Sequence, residues 1–174
     1  VTINEIHNVY RQPNSLQQQW AAHSYHGSEE HNSRAVINRY LGYWDGNPAT
    51  LIPLSPRETA PLYVSMMGGA EKILAKAGEL HSHGEDLQAM ELLNKLVYAE
   101  PDNIAAKQLL ADVFEQIGYQ KESSSVRNAF LAAALDLRSG MPSAPAPAIG
   151  ADILRSLTAE QLLDLAAIQL DSEQ

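Results

Sequence analysis

Residues 84–118 read GEDLQAMELLNKLVYAEPDNIAAKQLLADVFEQIG. The stretch spells two helices and the turn between them. Ala89 and Leu93 stand four apart, one helical turn, on the first segment; Leu109 and Leu110 carry the apolar side of the second. Between them Pro101-Asp102-Asn103 ends one helix and caps the next, because proline cannot continue a helix and the short polar side chains bond to free backbone N–H groups. Ala89 is small enough to let two antiparallel helices approach closely. Gly84 sits where a glycine follows the end of the preceding helix.

The landmarks Gly84, Ala89, Leu93, Pro101-Asp102-Asn103, Leu109, Leu110 and Gly118 resemble one tetratricopeptide unit. One such repeat is clear, with a weaker helix pair before it and a helix over about 121–138 after it. Repeat arrays need about three units to cover their apolar faces, so a single unit in a helical domain reads as a packing device. Working outward, helical period persists. Residues 70–82 place Ile73, Leu74, Ala77 and Leu80 on one side, and Gly68-Gly69 breaks the chain before them. Ser55-Pro56-Arg57-Glu58 offers an N-cap serine, a first-turn proline and a capping-box glutamate together. Residues 49–54 are an extended connector. From Glu29 to Tyr43 the set Val36, Ile37, Tyr40, Leu41, Trp44 predicts a buried helical stripe, followed by the turn Asp45-Gly46-Asn47-Pro48. By the same period Tyr40, Tyr43 and Trp44 are expected in the core. At the N-terminus Thr2 with Glu5 reads as a capping box, and Pro13 stops that helix. Asn14 or Ser15 starts another that carries Leu16 and Trp20. Beyond residue 139 the prolines Pro142, Pro145 and Pro147 forbid helix, and Thr158 with Gln161 caps a last amphipathic helix.

The expected fold is therefore all-α, a helical bundle with one tetratricopeptide-like helix pair. Its expected organisation is a helical domain over 1–139, a Pro/Ala linker over 140–150 and the beginning of a further domain over 151–174. The chain opens at Val1 rather than Met, and the expectation is that it is a piece of a longer protein.

Composition narrows the function. In 174 residues, 12 basic and 21 acidic side chains leave a net charge of −9 and no basic stripe, which argues against nucleic acid as a partner. There is no cysteine, hence no disulfide, thiol nucleophile or thiolate zinc site. No apolar run reaches the ~20 residues that span a bilayer.

Candidate chemistry centres on histidine. His7, His23, His26 and His31 crowd the first 31 residues, with Glu29 and Glu30 among them. A small metal site on His23, His26 and His31 is one reading, but the spacing fits no ligand pattern and a solvated, helix-capping cluster is the plainer one. His81-Ser82-His83-Gly84-Glu85-Asp86 imitates the His-x-His-x-Asp-His signature of the metallo-β-lactamases, yet has Glu where the motif has Asp and no final His. Two residues apart on a helix point ~200° apart and cannot chelate together, so His81 and His83 read as helix-terminal cations. No nucleophile elbow and no phosphate-binding glycine loop is present.

One segment is more specific. Tyr25-His26-Gly27-Ser28, then His31-Asn32-Ser33-Arg34-Ala35-Val36, then Asn38-Arg39-Tyr40-Leu41-Gly42-Tyr43-Trp44-Asp45-Gly46-Asn47-Pro48 resembles the region that follows the catalytic part of the zinc-dependent alkyl sulfatases, a class built on the metallo-β-lactamase fold. The resemblance extends over Leu51–Pro56, Met67-Gly68-Gly69-Ala70, Leu92–Asn103 and Leu157–Asp171, essentially the whole chain. It implies a helical dimerisation domain, with 151–174 opening a sterol-carrier-like part. The implied parent hydrolyses alkyl sulfate esters with two zinc ions held in a catalytic domain absent from this chain. The implied partners are a second copy and that catalytic domain, and the implied compartment is periplasmic or extracellular. No catalytic residue and no metal ligand carries over. The matching motif carries Tyr25, His26, His31, Asn32 and Arg34 as residues beside the substrate channel, unless they only bond within the fold and cap a helix. The competing function is a stand-alone tetratricopeptide-like adaptor that binds a peptide in a groove of the 84–118 pair.

Overall fold

The structure, a computed structural model, describes residues 1–141 and 150–169; most of the expected linker over 140–150 lies outside the described residues. The chain forms two units, Val1–Met141 and Pro142–Gln174. Every regular element among the described residues is helical, so the all-α expectation holds.

In the larger unit the helices are α1 (Ile6–Val9), α2 (Asn14–Gln17), α3 (Glu29–Leu41), α4 (Pro56–Met66), α5 (Ala70–Ser82), α6 (Asp86–Ala99), α7 (Ile104–Tyr119) and α8 (Ser124–Ser139). The start signals work as their chemistry dictates. The Ser55 hydroxyl accepts from the Glu58 N–H while the Glu58 carboxylate accepts from the Ser55 N–H, and Pro56 opens α4. The Asn103 side chain accepts from the Ala106 N–H at 3.0 Å to start α7. Gly68 and Gly69 both take left-handed backbone, φ 91° and 90°, which permits the sharp break before α5.

The hydrophobic core lies wholly within α4–α8. Leu93, Leu96 and Val113 are its largest fully enclosed side chains, each worth about 1.5–3 kcal/mol in area removed from water. Ala77, Ala89, Ala106 and Ala111 are also inaccessible to solvent and let the helices close on one another. Helix α6 packs against α4, α5 and α7, and α7 against α5, α6 and α8. The 84–118 pair is thus α6 and α7. Its inner faces are covered by α5 (Leu74, Ala77, Leu80) and α8 (Phe130, Leu137), which leaves the pair embedded in the bundle. Phe114 and Phe130 meet edge-on with centroids 5.6 Å apart. At the outside of the same junction Arg138 of α8 donates to Asp112 at 2.8 Å and Glu115 at 2.6 Å of α7.

Residues 1–54 differ. They contain no buried hydrophobic side chain; their one buried residue is Ser28. The expected stripe is largely uncovered: Val36, Tyr40, Leu41 and Trp44 are 55%, 80%, 71% and 43% exposed, Ile37 alone is half-buried, and Tyr43 is 77% exposed. This corrects the expectation that Tyr40, Tyr43 and Trp44 lie in a core. The period puts them on one side of a helix, but α3 ends at Leu41, so Tyr43 and Trp44 lie beyond it, and among the described residues the main packing partner of α3 is the single turn of α1. The expected helix through Leu16 and Trp20 also fails: α2 stops at Gln17, and Trp20 begins a separate 3₁₀ turn, Trp20–Ala22. Thr2 does bond to the Glu5 carboxylate, but the helix begins after it, at Ile6. After α3 the left-handed Gly42 (φ 83°) ends the helix. Asp45 then organises the expected turn, accepting from the Asn47 N–H, the Thr50 hydroxyl and Asn4. These bonds, the Thr50 hydroxyl foremost, hold the Asp45 carboxyl below its ordinary pKa.

The smaller unit holds α9 (Ala151–Ser156) and α10 (Ala159–Gln169). Thr158 and Gln161 form the expected capping box: the Thr158 N–H donates to Gln161 Oε1 at 2.9 Å and the Gln161 N–H to the Thr158 hydroxyl at 3.3 Å.

The packing makes glycines informative. A Cβ on Gly118 would stand 3.0 Å from Leu131 Cδ2 and 3.3 Å from Phe130 Cβ, whereas one on Gly78 would meet nothing within 4 Å. Gly118→Ala is expected to cost about 1–3 kcal/mol by overpacking. Gly78→Ala is expected to stabilise by about 0.4–1 kcal/mol through the unfolded chain. Urea denaturation of the two variants checks both signs.

Candidate functional site

The polar cluster of the N-terminal segment gathers around one junction. The loop between α7 and α8, residues 121–123, receives residues 23–26 through three hydrogen bonds. The Ser123 hydroxyl donates to the His26 carbonyl at 2.7 Å, the Ser124 N–H donates to the Tyr25 carbonyl at 2.8 Å, and His23 Nδ1 lies 3.0 Å from Glu122 Oε1. Ser123 also caps α8, accepting from the Val126 N–H, and is almost fully buried. Upstream, side chains close the segment on itself: Gln12 donates to the Ala22 carbonyl, Gln17 to the Gln12 carbonyl, and His23 Nε2 stands 3.1 Å from the Gln17 carbonyl. A segment without a core is here held by satisfied polar groups.

Beside the junction opens a cavity of about 620 Å³. Tyr25, His26 and Asn32 line it, with Tyr10, His23 and Glu29. One Glu29 carboxylate oxygen is buried without a partner. Of the five residues singled out in the sequence, His31 and Arg34 stand outside this lining. His31 turns back to the start of α3, where its Nδ1 is 2.7 Å from the Ser28 hydroxyl and its N–H donates to the same oxygen. Arg34 is exposed on α3. Burial works against the Glu30 charge. Its own backbone N–H, the Ser28 hydroxyl and nearby Lys121 outweigh that and hold the carboxyl below its ordinary pKa. Burial, seconded by Glu122, raises the Tyr25 phenol.

Sequence reading placed His23 in the histidine cluster but gave Glu122 and Ser123 no role. Nothing in the sequence ties them to the site, since the partners are 97 and 99 positions apart. His23, His26 and His31 do not converge, and among the described residues no three His, Asp or Glu side chains gather as a metal-holding group. The decoy at 81–86 resolves into a pair: His81 Nδ1 lies 2.6 Å from Asp86 Oδ1, joining the end of α5 to the start of α6.

The profile of the family described as alkyl sulfatase dimerisation matches residues 2–140. The chain belongs to the alkyl sulfatase dimerisation family. It is 44% identical over 141 residues to the alkyl/aryl-sulfatase BDS1 of Saccharomyces cerevisiae, covering 81% of this chain and 22% of that protein. It is 40% identical to an (R)-specific secondary-alkylsulfatase of Pseudomonas sp, covering 99% of this chain and 26% of the relative. Among solved structures it superposes on the stereoselective inverting sec-alkylsulfatase Pisa1 from Pseudomonas sp. with a TM-score of 0.85 at 39% identity, over 99% of this chain and 27% of that one. The chain thus spans about a quarter of the length of the alkyl sulfatases it matches. The whole of the larger unit except its first and last residues falls inside the dimerisation match, so the cavity and junction are features of an alkyl sulfatase dimerisation domain.

Ser123 carries one of the junction's bonds and the cap of α8. Ser123→Ala is expected to cost about 1–3 kcal/mol, the range for orphaning a buried polar group. Ser125→Ala, exposed on α8, should stay within about ±0.5 kcal/mol. Equilibrium unfolding in urea measures both.

Proposed function

We propose that this chain pairs two copies of a larger enzyme that hydrolyses alkyl sulfate esters, and that the bond-breaking chemistry lies outside these residues. The observation that carries the reading is the set of large apolar side chains that residues 36–66 leave exposed, in a chain that matches a dimerisation family. Val36, Tyr40, Leu41, Trp44, Ile52, Leu62 and Met66 are all exposed although the bundle α4–α8 is closed without them. Large apolar side chains left exposed in such number are what an interface covers, and a stable dimer needs about 800 Å² from each partner. A homodimer and contact with the enzyme's own catalytic domain are the two associations that would cover it. In this reading two zinc ions of the catalytic domain supply an activated water, and 151–174 opens a sterol-carrier-like part.

Tyr25, His26, His31, Asn32 and Arg34 are proposed to wall the channel that leads an alkyl sulfate to that centre. Tyr25, His26 and Asn32 support this by lining the open cavity, and His31 and Arg34 by lying on the same helix start. A metal site on the histidines of this chain, and a peptide groove on α6 and α7, have no comparable support.

Two measurements test the proposal. Sedimentation of the chain at tens of micromolar should give twice the 19.0 kDa chain mass; a monomer throughout that range overturns the pairing role. In the full-length enzyme, Asn32→Ala or Arg34→Ala should lower kcat/KM for an alkyl sulfate by about tenfold or more, a loss of ~1.4 kcal/mol in transition-state stabilisation. Unchanged turnover removes these residues from the channel wall.

A further inference from the structure

His23 is bonded at both ring nitrogens, and both partners are acceptors. Nδ1 lies 3.0 Å from the Glu122 carboxylate and Nε2 3.1 Å from the Gln17 carbonyl. A neutral imidazole owns one N–H and can serve one of these oxygens; only the imidazolium serves both. We infer that His23 is a proton-operated latch, which in its charged form ties the Gln17 turn, through a ring that borders the cavity, to the loop between α7 and α8.

The surroundings favour this. Residues 14–23 bury no hydrophobic side chain, so polar bonds carry the attachment. The other two bonds of the junction, from Ser123 to His26 and from Ser124 to Tyr25, do not titrate and fix the chain just after the latch. Residues 25–28 therefore stay docked while 14–23 can lift. Because His23 and Ala22 line the cavity, lifting widens its mouth.

The charged and titratable groups around His23 are few. On its own segment the Tyr25 ring stacks on it at 5.7 Å and 17°. From the α7–α8 loop come Glu122, in contact, and Lys121, whose charge acts on Glu30. Glu29 of α3, with Tyr10 and His26, lines the same cavity, and Glu30 follows it on α3. Glu122 raises the His23 pKa, the Gln17 carbonyl adds to it, and partial burial opposes it. The sign follows. A histidine raised above its ordinary value contributes its hold fully below about pH 6.5 and loses it as pH climbs through the folded pKa. The latch is closed in mild acid and opens toward alkaline pH.

The test uses the full 174-residue chain. Long-range ¹H–¹⁵N NMR should show both His23 ring nitrogens protonated at about pH 6, with a midpoint above the ordinary ~6.5, and Glu122→Gln should lower that midpoint. Amide protection across residues 16–23, taken relative to α7, should fall with rising pH. The fall should be about tenfold for each unit by which the folded pKa exceeds the unfolded one. His23→Arg, a permanent cation, should keep its protection over the same range. A His23 midpoint at or below ~6.5 overturns the latch. So does protection that ignores pH, or that falls equally in His23→Arg.

Discussion

The buried Ser123 hydroxyl makes one of the three hydrogen bonds that join the N-terminal segment to the helical bundle. Ser123 donates to the His26 carbonyl and accepts from the first turn of α8, so one oxygen both starts a bundle helix and docks a segment nearly a hundred residues earlier. The hydroxyl is withdrawn from water there, where an unpaired polar group is costly and a satisfied one fixes geometry. Together with the bonds from Ser124 to Tyr25 and between His23 and Glu122, it sets the positions of Tyr25, His26 and His23, and the cavity they line follows from those positions. Without these bonds residues 1–54 would have little reason to lie against the bundle, because they bring no buried apolar side chain of their own.

That imbalance is physically telling. Helices α4–α8 hold the entire hydrophobic core, with alanines at the close approaches and three enclosed large side chains at its centre. The N-terminal third is rich in large apolar groups and leaves them facing outward. A sequence that spends aromatic residues on an uncovered helix face is shaped for contacts that this chain by itself does not make. Membership of an alkyl sulfatase dimerisation family, with about three quarters of each relative lying beyond the match, accounts for the surplus in kind. Pairing is the work that membership of this family gives these residues.

The site has the same character. Its polar groups are mostly committed to one another: His23 to Glu122 and Gln17, His31 to Ser28, the Tyr25 and His26 carbonyls to the α7–α8 loop. Such commitment builds a shaped wall. The side chains of His26 and Asn32 face whatever enters the cavity, beside a Tyr25 ring stacked on His23. The latch at His23 adds a way for proton concentration to alter that wall without disturbing the bundle.

Local chemistry determined much of this from the sequence alone. The capping box at Ser55, the glycine break at 68–69, the stop after α5 and the α6–α7 hairpin depend on neighbours within a few positions, and each stands where its residues put it. The apolar period of α3 likewise fixed which side chains share a face. It did not fix what covers that face, because burial is a property of the partner, and among the described residues the main partner of α3 is one turn of α1. The short α2 and the detached Trp20 turn were decided by side-chain-to-backbone bonds that periodicity does not register. Of the five named site residues three line the cavity, while Glu122 and Ser123, which hold it in place, left no trace in sequence. Their partners are brought to them only when α7 and α8 turn back, and a contact across that distance is created by the tertiary fold.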